Sequence, residues 1–131
     1  MKNKNFTFNS SKAKEFFLEK LSFEISPRDL EKHIKNNIEN INIIDVRTYD
    51  DYIDGHIPFA IHVPFDSLEE HLVMFEKDKV NIVYSYCPYC KKSAETAYLI
   101  AEKGYPVMTL CGGYKIWKEI GFDVVKTSSN D

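Results

Sequence analysis

The chain has 131 residues, 44% hydrophobic and 14% aromatic, which is one domain by length with enough apolar surface for a full core. A net charge of −3, with lysines scattered among acidic residues, leaves no basic stripe and argues against nucleic acid as a partner. No apolar run approaches the roughly 18 residues that cross a bilayer, and MKNKNFTFN at residues 1 to 9 lacks the apolar stretch of a signal peptide. No membrane association is expected, and the cytoplasm is the expected location.

Residues 10 to 20, SSKAKEFFLEK, read as a short helix capped by Ser10 or Ser11, with Phe16, Phe17 and Leu18 as its apolar face. Residues 1 to 21 are taken as a partly helical N-terminal extension. In FEISPRDLEKHI, residues 23 to 34, a brief strand gives way to a helix. Ser26 is placed at its N-cap, Pro27 at its first helical position, and Asp29 in the first turn, where the helix dipole favours negative charge. INIIDV, residues 41 to 46, is β-branched and nearly all apolar, as a strand covered on both faces would be. AIHVP (60 to 64), NIVYSY (81 to 86) and VMTL (107 to 110) repeat that signal. Helical stretches lie between them, at 48 to 54, 66 to 76, 92 to 103 and 114 to 119.

Strands alternating with helices predict an α/β fold: a doubly wound, mainly parallel central sheet of about five strands flanked by helices. The domain is placed at residues 22 to 125, and residues 126 to 131, KTSSND, read as a frayed end. Ligands of such sheets sit at the carboxyl ends of the strands, which directs attention to the loop after the fourth strand.

That loop carries two of the three cysteines, Cys87, Cys90 and Cys111, whose number and clustering do not suggest a disulfide framework. Reduced thiols are expected. Cys87 follows the strand directly in YSYCPYCKKSAETAYLIAEKGY, residues 84 to 105. Backbone N–H groups, the positive end of the next helix dipole and the ammonium groups of Lys91 and Lys92 are expected to favour a thiolate there. Ser93 is read as the cap of that helix. Position alone leaves open whether Cys87 is a nucleophile or a small buried residue at a strand end.

Three motifs in order add to this reading. IIDVRTYDDYIDGHIPFAIHVP, residues 43 to 64, holds a D-V-R strand end, an acidic-aromatic turn and a G-H-I-P segment. Tyr86-Cys87 and a six-residue loop are followed by Ser93 and a helix ending at Lys103-Gly104-Tyr105. Cys111-Gly112-Gly113-Tyr114-Lys115-Ile116-Trp117 supplies a G-G-x-x-x-W. The pattern resembles that of rhodanese-like domains over residues 22 to 125.

The resemblance implies sulfurtransferase chemistry. Cys87 attacks the outer sulfur of a donor such as thiosulfate, becomes a persulfide, and passes the sulfur to cyanide or another thiol, a protein thiol included. Pro88, Tyr89, Cys90, Lys91, Lys92 and Ser93 form the expected substrate-binding loop, whose amides stabilise the persulfide and the transferring anion. Phosphatases and arsenate reductases of the same fold carry one more residue in this loop, so a phosphate-sized pocket is disfavoured. No cofactor and no metal are expected. Asp45, Arg47, Gly55, His56, Gly112, Gly113 and Trp117 are read as structural. Asp45 and Arg47 pair at a strand end, Gly55 takes a positive φ, His56 is a hydrogen-bonded loop anchor, and Gly112-Gly113 make a turn that packs Trp117 onto the sheet. His33, His62 and His71 carry no assigned role.

The loop departs from the common C-x-x-G-x-R form of the family at three positions. Pro88 has no N–H, Cys90 stands at the usual glycine, and Lys92 keeps the charge of arginine without its planar fork. Of 17 basic residues only Arg28 and Arg47 are arginine, so Lys92 follows a bias of the whole chain. Phe59, where the family commonly has a glycine, is read as a packing residue. CPYC at a strand-to-helix junction also suggests a thiol-disulfide redox protein in which Cys90 is the resolving thiol for Cys87. A closed zinc site needs four ligands where the CxxC supplies two, with Cys111 as a third candidate from the next strand end. A non-catalytic binding module is the remaining alternative, against which the presence of Cys87 argues.

Overall fold

In the computed structural model, which describes residues 8 to 127, five strands form one entirely parallel sheet. In chain order these are β1 (Glu24–Ile25), β2 (Ile41–Asp45), β3 (Ile61–His62), β4 (Val80–Tyr84) and β5 (Val107–Leu110), and the spatial order is β1-β5-β4-β2-β3. Five helices accompany them: α1 (Ser10–Phe23), α2 (Pro27–Asn36), α3 (Tyr49–Asp54), α4 (Lys92–Glu102) and α5 (Gly113–Ile120). The sheet is thus doubly wound around β4, with β2 and β5 as its neighbours.

Each face of the sheet buries its own apolar set, because successive strand residues point to opposite sides. Ile41, Ile43, Ile82 and Tyr84 face Leu30 of α2 and Tyr114 and Trp117 of α5. Ile44, Val46 and Val83 face Ile100 of α4 together with Leu68 and Phe75. Burying each large side chain contributes about 1.5–3 kcal/mol, so two covered faces explain why these strands read as nearly continuous apolar runs. Trp117 is buried, and its indole N–H donates to the Asp123 carbonyl at 2.9 Å.

A buried asparagine closes the sheet at the end away from Cys87. Asn81 donates to the carbonyls of Glu76 and Pro106, both at 2.8 Å, and accepts from Asn42 Nδ2 at 2.8 Å and Glu76 N at 3.0 Å. All four of its hydrogen bonds are made, which is the condition for burying an amide without penalty. The apolar reading of NIVYSY gave no hint of it.

Several local expectations change. Asn9, not Ser10 or Ser11, caps α1, its side chain accepting from Lys12 N at 3.0 Å. No residue of α1 is buried, and Phe16, Phe17 and Leu18 are all exposed. Three successive residues spread around a helix and cannot share one face. Instead Phe16, Lys20 and Phe23 look across a groove of about 590 Å³ toward Ala94, Ala97 and Ala101 of α4. The stretch 66 to 76 is not an α-helix but two 3₁₀ segments, Phe65–Ser67 and Glu69–Met74, with His71 off helical geometry. A 3₁₀ helix rises about 2.0 Å per residue against 1.5 Å for an α-helix. The same residues therefore reach from the end of β3 back to the start of β4, anchored by buried Leu68 and Phe75. Residues 1 to 7 and 128 to 131 lie outside the described residues, as does most of the end read as frayed.

Candidate active site

Cys87 lies where β4 has just ended, and the strand end is held from three sides. Val46 N–H donates to the Tyr84 carbonyl at 3.1 Å, Tyr114 N–H to that of Ser85 at 2.9 Å, and Lys115 N–H to that of Tyr86 at 2.7 Å. The last two bonds come from the start of α5, brought in by the Gly112-Gly113 turn. Both glycines have positive φ, and a Cβ on Gly113 would sit 2.9 Å from the carbonyl oxygens of Ser85 and Tyr86. The paired glycines thus let α5 dock against the strand end that carries the cysteine.

Cys87 to Cys90 form one β-turn, closed by a hydrogen bond from Cys90 N–H to the Cys87 carbonyl at 3.1 Å. Pro88 occupies its second position, where a fixed φ near −65° is favoured, so its missing N–H has a structural reason. Tyr89 is 90% exposed at the tip. Cys87 and Cys90 are both partly buried, while Cys111 is exposed, and all three thiols are free. Lys91 is the N-cap of α4 and makes no side-chain capping bond; Ser93 lies within the helix instead of capping it. The helix begins two residues earlier than a Ser93 cap requires, and with no side-chain cap its first N–H groups are left open toward the loop.

Of those groups the Lys92 amide bears on Cys90. Burial pushes the Cys90 thiol up, but the Ser85 hydroxyl, the amides of Lys92 and Tyr86 and the Lys92 ammonium outweigh it and hold the thiol below its ordinary pKa. Ser85 is 2% exposed, and its hydroxyl has no partner bond within ordinary hydrogen-bond geometry among the described residues. It is free to donate to a thiolate. The Lys92 ammonium also lies over the Phe65 ring at 5.9 Å. Lys115, paired with Glu119 at 2.8 Å, is held above its ordinary value chiefly by that partner, with the Cys87 side chain among the lesser contributors.

Behind the loop lies a buried polar network. Asp45 Oδ2 accepts from Arg47 at 2.7 Å and from the Tyr84 hydroxyl at 2.7 Å, and Asp45 Oδ1 accepts from the Arg47 backbone N–H at 2.9 Å. Arg47 also donates to the Gly55 carbonyl at 2.6 Å, and its guanidinium lies 4.0 Å from the centre of the Tyr114 ring. Burial opposes the charge of Arg47, but the hydrogen bond and charge of Asp45 outweigh it and raise its pKa. The Tyr84 hydroxyl accepts from Ile57 N–H at 3.1 Å, and burial followed by the Asp45 carboxylate pushes its pKa well above the ordinary value. One network therefore ties together β2, β4, the turn at Gly55 and α5. Tyr84 and Tyr114 carry no role in the sequence analysis, although a tyrosine inside an apolar strand signals a buried hydroxyl in need of a partner.

Gly55 does not take a positive φ. Its φ of 168° is extended backbone, and what demands glycine is the Tyr114 hydroxyl, against which a Cβ would collide. The positive φ falls on Phe59, at 71°, and that side chain is exposed instead of packed. His56 is buried, its ring stacked on Tyr52 at 3.9 Å and its Nδ1–H donating to the Tyr52 carbonyl at 2.8 Å. His56 also pairs through its backbone with Val125, so it anchors the C-terminal segment. Among the described residues no group of three or more His, Cys, Asp or Glu side chains is placed to hold a metal ion, so Cys111 does not join the pair. No described helix is long and apolar enough to cross a membrane.

Comparison with known proteins agrees with this architecture. The rhodanese-like domain family profile matches residues 26–120. The thiosulfate sulfurtransferase GlpE of Coxiella burnetii is 35% identical over 80 residues, covering 60% of this chain and 73% of that protein. The HTH-type transcriptional regulator Rv0324 of Mycobacterium tuberculosis is 29% identical over 84 residues, and there the match spans only 37% of the relative's length. The crystal structure of BH2092 from Bacillus halodurans superposes with a TM-score of 0.82 at 33% identity, covering 91% of this chain and 88% of that one. A parallel sheet with a cysteine loop between its fourth strand and the following helix defines the class. This chain belongs to the rhodanese-like domain family.

Proposed function

We propose that this chain is a sulfurtransferase that carries sulfane sulfur on Cys87. The Cys87 thiolate attacks the outer sulfur of a donor such as thiosulfate; a new S–S bond forms at Cys87, the donor's S–S bond breaks, and sulfite leaves with the electron pair. A thiol or cyanide then takes the outer sulfur from the persulfide and regenerates the thiolate. The observation that carries this reading is the placement of Cys87 on the first residue of a turn between the end of β4 and the open N–H groups of α4. That end of a helix stabilises anions. The relative named as a thiosulfate sulfurtransferase supports the same chemistry.

Lys92 is the charge partner for an anionic donor, as a point charge in place of a bidentate fork. The acceptor is a small thiol, cyanide or a protein thiol, in a reducing compartment such as the cytoplasm, which suits three free cysteines. A second reading, thiol-disulfide exchange, is favoured by one observation: the turn that holds Cys87 and Cys90 together. Incubation with thiosulfate followed by intact mass measurement tests the first reading. The expected result is a gain of about 32 Da on the wild type and none on Cys87→Ser. An equal gain on Cys87→Ser would refute it.

A further inference from the structure

Three observations set Cys90 apart from a spacer. The hydrogen-bonded turn keeps the Cα atoms of Cys87 and Cys90 within about 7 Å, inside the range a disulfide spans. The hydroxyl of Ser85, at the strand end two residues before Cys87, is buried and makes no hydrogen bond among the described residues, which leaves it available to a thiolate of the loop. Burial pushes the Cys90 thiol up, but the Ser85 hydroxyl, the amides of Lys92 and Tyr86 and the Lys92 ammonium outweigh it and favour its thiolate. The groups that favour a thiolate are thus gathered on the second cysteine of the pair, at the position where the loop pattern of the family carries no side chain.

We propose that Cys90 is a resolving thiol that turns the Cys87 persulfide into hydrosulfide and a Cys87–Cys90 disulfide. This rests on the reading that Cys87 carries the persulfide. The Cys90 thiolate attacks Sγ of Cys87; the Sγ–Sγ bond forms and the bond from Cys87 Sγ to its outer sulfur breaks. The outer sulfur leaves as hydrosulfide with the electron pair and the persulfide proton. In this step the outer sulfur is reduced and the Cys90 sulfur is oxidised, while Cys87 Sγ keeps its oxidation state; over loading and release together the sulfane sulfur takes two electrons from the two cysteine thiols, so no external oxidant is needed. Return to the dithiol consumes two equivalents of a small thiol. The activity is release of sulfide from a sulfane-sulfur donor, coupled to thiol oxidation, in place of onward transfer of the sulfur atom.

Ser85 is a positioning residue in this scheme, because it acts through the Cys90 sulfur.

The test uses the full-length, fully reduced chain, freed of added thiol and given one equivalent of thiosulfate, with a parallel arm given one equivalent of inorganic polysulfide. Mass, released hydrosulfide and the peptide map are read over time. The wild type is expected to gain about 32 Da and then lose it, releasing close to one hydrosulfide per chain and ending about 2 Da below its starting mass. Its map then shows a Cys87–Cys90 disulfide. Cys90→Ser is expected to keep the added sulfur and release none. Ser85→Ala is expected to slow hydrosulfide release several-fold at neutral pH and to recover as the pH is raised, which a purely structural role for Ser85 does not predict. A wild type that holds its extra sulfur as long as Cys90→Ser does, or that carries it on Cys90, overturns the proposal and leaves the Cys87 persulfide standing. A wild type that gains nothing in either arm, or a Cys87→Ser that gains as much, overturns the persulfide reading and this proposal with it. Mild oxidation of the sulfur-free chain gives an independent check, since failure to form the Cys87–Cys90 bond there sinks the resolving role alone.

Discussion

A methyl group added at Gly113 meets the carbonyl oxygens of Ser85 and Tyr86 at 2.9 Å and the Tyr86 carbonyl carbon at 3.0 Å. All three contacts are backbone and cannot swing aside. The φ of 67° adds a left-handed penalty of roughly 1–2 kcal/mol for any L side chain. Relief of the clash requires α5 to back away from the strand end, which weakens the Tyr114 N–H and Lys115 N–H bonds to Ser85 and Tyr86. Each such bond contributes about 0.5–1.5 kcal/mol, so Gly113→Ala is expected to lose about 2–5 kcal/mol in all. Gly121 supplies the control: its φ is 100°, and a Cβ there has nothing within 4 Å. Gly121→Ala therefore carries the conformational penalty alone, about 1–2 kcal/mol. Urea unfolding of both variants, with sulfur loading of Cys87 measured on the folded proteins, is the assay. Gly113→Ala should also load sulfur more slowly, because the strand end that places Cys87 moves. Equal destabilisation of the two variants would refute the close-approach argument.

Tyr84→Phe leaves Ile57 N–H without its acceptor and Asp45 with one donor fewer, at an expected cost of about 1–3 kcal/mol by denaturant unfolding at pH 7. The same variant tests pH dependence. The pKa of Tyr84 is raised in the folded state, so the folded protein holds this proton more tightly than the unfolded chain; the stability it contributes is full below about pH 10 and falls as pH rises from there. Unfolding curves from pH 8 to 11 should converge for wild type and Tyr84→Phe, and parallel curves would count against the assignment. Arg47→Met strands the buried Asp45 carboxylate and is expected to cost about 3–5 kcal/mol, whereas loss of under 1 kcal/mol would show that the pair is not buried as described. Thiolate absorbance across pH should show Cys90 titrating below an ordinary cysteine, with Ser85→Ala moving that step upward; an unmoved step would remove Ser85 from the site.

The alternation of apolar strands with helical stretches, and the start of α2 at Ser26 and Pro27, were legible because they depend on residues a few positions apart. Periodicity reports which side chains share a face, and capping reports a local hydrogen bond. Phe16, Phe17 and Leu18 misled for the same reason: local apolarity does not say whether a neighbour arrives to cover it. The segment 65 to 74 misled because its form is set by the span it must bridge between β3 and β4.

Cys87 at a strand end was written in the sequence, as was the CxxC spacing. Which thiol receives the stabilising groups was not. Ser85, Tyr86 and Lys92 flank the turn on both sides, and their bearing on Cys90 depends on the turn being closed by the Cys90 N–H bond to the Cys87 carbonyl. The reason for glycine at 55 was equally invisible, because the hydroxyl that demands it belongs to Tyr114, distant in sequence. Sequence by itself determined the order of elements and the two candidate sulfurs. The tertiary structure decided the surroundings of each, because hydrogen bonds and close approaches between distant segments exist only once the sheet order has made those segments neighbours.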